Sequence, residues 1–328
     1  MTVFQETLQH ISVGQVQRSG RLSVFPLLSS VSTIADYTLL DSAQAEGLAT
    51  VSEISEGGSV PELLLDNACE LSLFLLDGEE LLGAKQNRIV NLSLLVPGGT
   101  KQTIPVSCVE AGRWNYDSEA FKSSDRTFFA SGRARKSADV TGHMGTSGSR
   151  RTDQGAVWED VSFALSDFKV ASETSAVSAL YDSQSGSLDE FEQAFAITEG
   201  QVGAVFAIDG EVRGMELFDA SSTWQALMPK VLRSYAIDAL RADRLDTPMG
   251  DSADAQPELA AREFLDRVAS AHVERFDALG EGSDLRVVED NLSGGGLFAK
   301  DRIVHLCAFA MDADSSTRQR QQAMELDF

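Results

Sequence analysis

Two Asp-Gly dipeptides, Asp77-Gly78 and Asp209-Gly210, each stand between short apolar runs, and this pattern constrains the fold more than any other feature of the chain. A two-residue type I′ turn needs positive φ at both central positions, which Asp-Gly tolerates, so each dipeptide predicts a β-hairpin. The first is expected to join residues 71–76 to 79–84, and the second 202–208 to 211–218. Further strands are expected at 21–26, 62–65, 88–96 and 103–109, with Pro97-Gly98-Gly99 as the turn between the last two. Between residues 112 and 153 the periodicity disappears, and the small polar composition there reads as a mobile surface loop.

Order returns at Gln154, with two helical stretches to about residue 179 and another helix at 188–195. A long helix follows, on which Trp224, Leu227, Val231, Tyr235 and Leu240 recur at largely three- and four-residue spacing. Ser222 and Gln225 have the spacing of a capping box at its start, and Pro229 is a candidate kink. An acidic connector at 246–256 leads to a helix opened by Pro257 and ending near Ser270, then to strands at 285–288, 296–299 and 303–309. The fold class is α+β, with a β-rich, hairpin-containing N-terminal half and a C-terminal half that mixes helices with antiparallel strands. Two lobes, 1–155 with the cationic loop and 156–312, precede a polar tail at 313–328; the alternative is one interlocked domain.

Composition limits function. At 43% hydrophobic and 23% charged residues, the chain has ample material for a core. No apolar run approaches the roughly 18 residues of a membrane span, and the N-terminus lacks the layout of a signal peptide. Cys69, Cys108 and Cys307 are odd in number and far apart, and the four histidines are scattered, so neither a disulfide framework nor a metal site is expected. These features point to the cytoplasm. A net charge of −23 disfavours nucleic acid and anionic membranes as partners. Charge is unevenly placed, however: residues 85–151 carry eleven basic and five acidic side chains, net +6, against −29 for the remainder. This reversal predicts a site for a phosphorylated small molecule. Apolar edge strands leave room for a homo-oligomer.

Three clusters could carry chemistry. In the first, Glu79 and Glu80 could act as general base or hold a hard cation, while Lys85, Gln86, Asn87 and Arg88 could hold phosphate and the edge of a base or ribose; the plain alternative is a solvated hairpin tip. In the second, alternation along the strand turns Cys108 and Glu110 to one face, before Gly112, Arg113 and Trp114. Cys108 is a candidate nucleophile if nearby cations lower its pKa, or else a buried core residue. Glu110, if inward, needs Arg88 or Arg113 as partner. The third is the expected loop, where Arg133 and Arg135, with Lys136, Arg150 and Arg151, could grip phosphate bidentately or lie loosely on the acidic body. His305 and Cys307 read as a buried strand.

The strings L-L-D-G-E-E-L-L-G-A-K-Q-N-R at 75–88 and I-P-V-S-C-V-E-A-G-R-W at 104–114, with S-V-P-E-L-L at 59–64, resemble the ADP-ribosylglycohydrolase and rhodanese-phosphatase-superfamily-associated protein family, ARPP-1. Residues 203–219 and 224–240 also resemble its second half. The resemblance implies an association with ADP-ribose and NAD-derived metabolites and assigns no catalytic residue or cofactor. The expected function is therefore binding, with or without processing, of such a phosphorylated nucleotide. The alternative is a noncatalytic sensor or interaction module of the same metabolic context.

Overall fold

Strand β13 (Gln201–Ile208) is buried at every position, so it needs cover on both faces. Ala204, Phe206 and Ile208 enter one core, and Val205 and Ala207 enter another. In the computed structural model, which describes residues 2–55, 57, 59–115, 118–245 and 257–311, this strand lies inside a nine-stranded sheet. Its companions are β1 (Ile11–Val13), β2 (Gln17–Ser19), β3 (Leu22–Ser29), β14 (Glu211–Phe218), β15 (Val273–Asp277), β16 (Ser283–Val287), β17 (Leu292–Ala299) and β18 (Arg302–Ala310). The order is β1-β3-β13-β14-β18-β17-β16-β15, with β2 on β3, and every pairing is antiparallel. Helix α7 (Ser221–Arg244) supplies Trp224, Leu227, Val231 and Tyr235 to one core, while α1 (Val3–Leu8) and α8 (Pro257–Ser270) serve the other. The fold is α+β, and strands from residues 11–29 share this sheet with strands from 201–310, so the sheet crosses the division at 155.

The second unit is a closed six-stranded barrel, β11-β6-β5-β12-β8-β9. It comprises β5 (Ala49–Glu53), β6 (Glu62–Asn67), β8 (Glu79–Gly83), β9 (Arg88–Val90), β11 (Thr100–Cys108) and β12 (Phe121–Thr127). A small sheet of β4 (Tyr37–Leu39), β7 (Ser72–Leu75) and β10 (Leu94–Val96) lies beside it, with β4 and β7 parallel. The remaining helices are α2 (Leu40–Ala45), α3 (Ala130–Ser147), α4 (Gln154–Phe168), α5 (Val177–Ser183) and α6 (Ser185–Ala194).

Asp209-Gly210 makes the expected turn, at φ +55° and +81°, and joins β13 to β14. Asp77-Gly78 does not. β7 pairs with β10 and β4, and β8 with β9 and β12, so the dipeptide carries the chain from the small sheet into the barrel. The run expected as one strand at 88–96 is likewise divided between barrel and sheet. The loop expected at 112–153 instead contains β12 and the eighteen-residue α3. On α3 the buried residues are Ala130, Gly132, Arg133, Ala134, Lys136, Ser137, Val140 and Met144, so cations and small residues stand where an amphipathic pattern would place large apolar ones. The capping box is also absent: Ala220 occupies the N-cap of α7 without a side-chain bond, and the helix continues through Pro229. The acidic connector at 246–256 and the tail at 313–328 lie outside the described residues.

Asp77 explains the changed role of the first dipeptide. It is buried, accepting from Arg133 Nε at 3.1 Å and from Lys136 Nζ at 2.8 Å. Arg133 Nη1 also donates to Glu216 Oε1 of β14 at 2.6 Å, and Glu216 Oε2 lies 2.8 Å from His305 Nε2 of β18. Ser93 Oγ closes the ring, 2.8 Å from His305 Nδ1 and 2.8 Å from the Asp77 N–H that donates to it. Burial alone would push Asp77 up, yet the charges of Lys136 and Arg133 hold it below the ordinary carboxylate range. Gly78 has φ +78°, and a Cβ there would stand 2.8 Å from the Arg133 side chain. Removing one partner from such a buried set strands the others, so Asp77→Ala should cost about 3–5 kcal/mol in urea unfolding. A loss below about 1 kcal/mol, the scale of an exposed pair, would show that the ring does not join the two units.

Candidate ligand site at the barrel mouth

Antiparallel register fixes which side chains face the barrel interior. Arg88 is opposite Cys108 and Leu81, Glu53 is opposite Leu63, and Leu63 is opposite Ile104. Val51 faces Leu65 and Phe121, and Phe121 faces Gly83. Directly opposed residues share a face, and Val51, Leu63, Leu65, Leu81, Val90, Ile104, Val106 and Phe121 fill it as one core. Glu53 ends β5, Arg88 begins β9 and Cys108 ends β11, so this acid, cation and thiol share one mouth of the barrel.

Arg88 is 0% exposed. Its Nη1 donates to Gln86 Oε1 at 2.9 Å, and Gln86 Nε2 donates to the Glu110 carbonyl at 2.9 Å. Arg88 Nε and Nη2 are buried without hydrogen-bond partners, as are both carboxylate oxygens of Glu53. Burial pulls the guanidinium below its ordinary value, with Cys108 and Glu53 only partly offsetting it. Each unmet buried donor of a charged group costs at least about 1–3 kcal/mol, so this arrangement is a liability to folding unless something occupies it.

The rim is built by two turns. Gly83 at φ +123° and Ala84 at φ +42° turn the chain from β8 into Lys85-Gln86-Asn87, and a Cβ on Gly83 would collide with Ser118 Oγ. After β11, Glu110 accepts from the Asn87 N–H at 3.0 Å, from Thr174 Oγ1 at 2.8 Å and from Arg113 Nη2 at 2.7 Å. Burial would raise Glu110, but these partners, Arg113 foremost, hold it below the usual range. Arg113 also donates to the Ala84 carbonyl at 2.6 Å and to Asn87 Oδ1 at 3.0 Å, so it braces the rim. Trp114, 45% exposed, lies under two cations, with Lys85 Nζ 5.2 Å and Arg88 Cζ 5.9 Å from its ring centroid. Gln154 clasps the Cys108 backbone, accepting its N–H and donating to its carbonyl, both at 2.8 Å, which brings Trp158 one turn later toward the thiol. Burial pushes the Cys108 thiol up despite Arg88 beside it. The neutral thiol is therefore favoured, which argues against a ready nucleophile.

Lys85, Gln86, Asn87, Arg88, Cys108, Glu110, Arg113 and Trp114 thus converge. The others do not. Glu79 accepts from Lys230 Nζ of α7 at 2.7 Å and from Ser123 Oγ at 2.6 Å, at the opposite end of β8 from the mouth. Glu80 faces away from the lumen, near Ser124 and Arg126. Arg133 belongs to the Asp77 ring, and Arg135 pairs with Asp160 at 2.6 Å. Arg150 pairs with Asp284 at 3.0 Å and lines, with Arg151, a separate groove of about 720 Å³. The expected pooling of cations is accordingly reduced to Lys85, Arg88 and Arg113. Sequence reasoning missed Glu53 and Thr174; for Glu53 the available signal was a carboxylate on the Ala49 and Val51 face of an alternating strand.

Among the described residues, one trio has metal-ligand spacing: donor atoms of Glu216, His305 and Cys307 lie within 4.8 Å of one another. It fits a cation poorly. Both Glu216 oxygens are already bonded, one to Arg133, and burial pushes the Cys307 thiol up to about 12.

Glu80 gives a pH test outside the mouth. Burial pushes it up to about 7, against the pull of Arg126 and Ser124. A carboxyl raised on folding contributes stability that is fully present below its unfolded value and lost as pH rises through its folded value. Glu80→Gln should therefore gain on wild type between pH 5 and pH 8 in urea unfolding, and a constant difference would place Glu80 in water.

Comparison with protein families matches residues 10–309 to the ARG and Rhodanese-Phosphatase-superfamily-associated Protein domain, ARPP-1. No curated protein and no solved structure matches the chain. The matched span contains the barrel, its mouth and the Asp77 ring, and the chain belongs to the ARPP-1 family.

Proposed function

We propose that the barrel mouth binds a phosphorylated nucleotide metabolite of the ADP-ribose or NAD-derived class. The observation that carries this reading is Arg88, fully buried with two unmet N–H groups at the end of a lumen. A guanidinium matches phosphate oxygens bidentately, and a phosphate seated there would meet both donors. Glu53 presents two acceptors in want of donors, which sugar hydroxyls supply. Trp114 and Trp158, 45% and 37% exposed, provide flat faces for a base at the rim. Phosphate, hydroxyls and an aromatic ring together describe a nucleotide, and the family's name places its members beside ADP-ribosylglycohydrolase systems. With a net charge of −23, the protein's field favours a small anion at a local cationic cluster over an extended polyanion. No helix among the described residues is long and apolar enough to cross a membrane.

A noncatalytic sensor is the second reading, favoured by one observation: Glu110, the expected acid or base, has its oxygens engaged by Asn87, Thr174 and Arg113. Both readings require the same ligand contact. Arg88→Met should weaken ADP-ribose binding by at least about tenfold in calorimetry, since hydrogen bonds to charged groups contribute about 1.5–3 kcal/mol. Its thermal midpoint without ligand should match or exceed wild type, because replacing poorly satisfied buried charge with an apolar side chain is commonly neutral or stabilising. Unchanged affinity in the folded variant would remove the ligand from this mouth.

A further inference from the structure

We propose that Glu53 is the reacting carboxylate of the mouth and that the bound molecule is a 5′-phosphorylated riboside cleaved by water at its anomeric carbon. This deepens the ligand reading and rests on it. Glu53 was singled out by no motif; it is identified by the contrast with its neighbours. Asp77, Glu79 and Glu110 each accept from at least two side chains or backbone groups. Glu80 keeps one unbonded oxygen, but on the outer face of the barrel. Glu53 alone among these carboxylates combines inward direction, buried oxygens and no hydrogen bond.

The sign of its charge selects the reaction. Cleavage of a glycosidic bond builds positive charge on the sugar ring, and a carboxylate beside it stabilises that transition state. Phosphoryl transfer spreads negative charge over equatorial oxygens, which an unpaired carboxylate opposes. Arg88 and Glu53 thus divide the ligand: the guanidinium holds the phosphate and the carboxylate meets the sugar. Preorganised charge in a site without competing water contributes most where charge develops during reaction, and both side chains are in place without ligand.

The step balances with water alone as co-reactant. Glu53 takes one proton from water as the water oxygen bonds to the anomeric carbon, and the bond from that carbon to the leaving group breaks with its electron pair on the leaving group. Glu53 then returns the proton to solvent. A pyridine that departs neutral from a pyridinium, or a carboxylate that departs from an ester, needs no proton on leaving. The substrate class is therefore a 5′-phosphorylated ribose whose anomeric substituent leaves without a proton, such as an N-pyridinium, an acyloxy or a nitrophenoxy group.

NAD⁺ in ¹⁸O-labelled water is the probe, with nicotinamide release followed by chromatography and the ribose product by mass spectrometry; the p-nitrophenyl glycoside of ADP-ribose is the second substrate. Wild type should release the leaving group with ADP-ribose as co-product, and the released nitrophenol should carry no ¹⁸O, which marks cleavage at the anomeric carbon. Glu53→Gln should lose at least about 100-fold in kcat, the lower end for a general base, and far less than that in ADP-ribose affinity. Glu53→Asp, which retains the carboxylate, should recover part of the rate, and Arg88→Met should lose binding. Wild-type turnover by Glu53→Gln would overturn the proposal, as would wild type that binds ADP-ribose but cleaves neither substrate; the ligand reading survives both results. Failure of wild type to bind ADP-ribose would instead sink the ligand reading and this inference with it.

Discussion

The buried bond between Asp77 and the two cations of α3 is the constraint on which the rest of the structure depends. Arg133 and Lys136 converge on its two oxygens, and Arg133 extends the ring to Glu216 in the large sheet. The connection between β7 and β8 is thereby fixed to both a helix and a distant strand, and β8 enters the barrel at a set position. Four residues later Gly83 turns the chain toward Lys85 and Arg88. The mouth is positioned by a network that never touches it. Such networks favour a unique arrangement only when nearly every member is satisfied, and the ring comes close: Arg133 Nη2 is its one atom without a partner.

Two kinds of buried charge therefore coexist, and partner count separates them. In the Asp77 ring, acids and cations of matched number bond one another, which is how a protein retains charge in its interior. At the mouth, Arg88 and Glu53 lie close enough to influence each other electrostatically, but the free atoms of both lack hydrogen bonds. A folding requirement explains the first arrangement and leaves the second unexplained. Unmet groups of opposite kind on the same lumen face are what a ligand bearing both acceptors and donors would complete.

Much of the fold was legible where local pattern and tertiary environment agreed. The second Asp-Gly hairpin, the spacing on α7, the helix beginning at Pro257 and the closing strands all follow from turn chemistry and apolar periodicity. What misled was charge in places that pattern assigns to solvent. Asp77-Gly78 has ideal hairpin chemistry, but the Asp77 carboxylate has buried partners about 56 and 59 residues away, a relation no local window contains. α3 was unreadable for the same reason, because its buried stripe includes Arg133 and Lys136. At the site, eight residues chosen from contiguous strings do gather, since strand ends and turns bring sequence neighbours together. Glu53 comes from a separate strand, and only the closure of the barrel places it opposite Arg88.

The charge reversal between residues 85 and 151 is spent inside the fold. Its surplus of cations does not form a positive surface. Arg126 pairs with Asp182, Arg133 with Glu216, Arg135 with Asp160, Lys136 with Asp77 and Arg150 with Asp284, and each of those acids lies outside the segment. The segment is basic because it is bonded into an acidic remainder, and most of its field is consumed internally. Arg113 is engaged as well, with Glu110 inside the segment. Arg88 differs from all of these: it is as deeply buried as Arg133 and has no carboxylate hydrogen-bonded to it among the described residues. Arg133 and Lys136, buried as deeply, take their counter-charges from the chain; under the proposed function the anion that Arg88 lacks would come from a ligand.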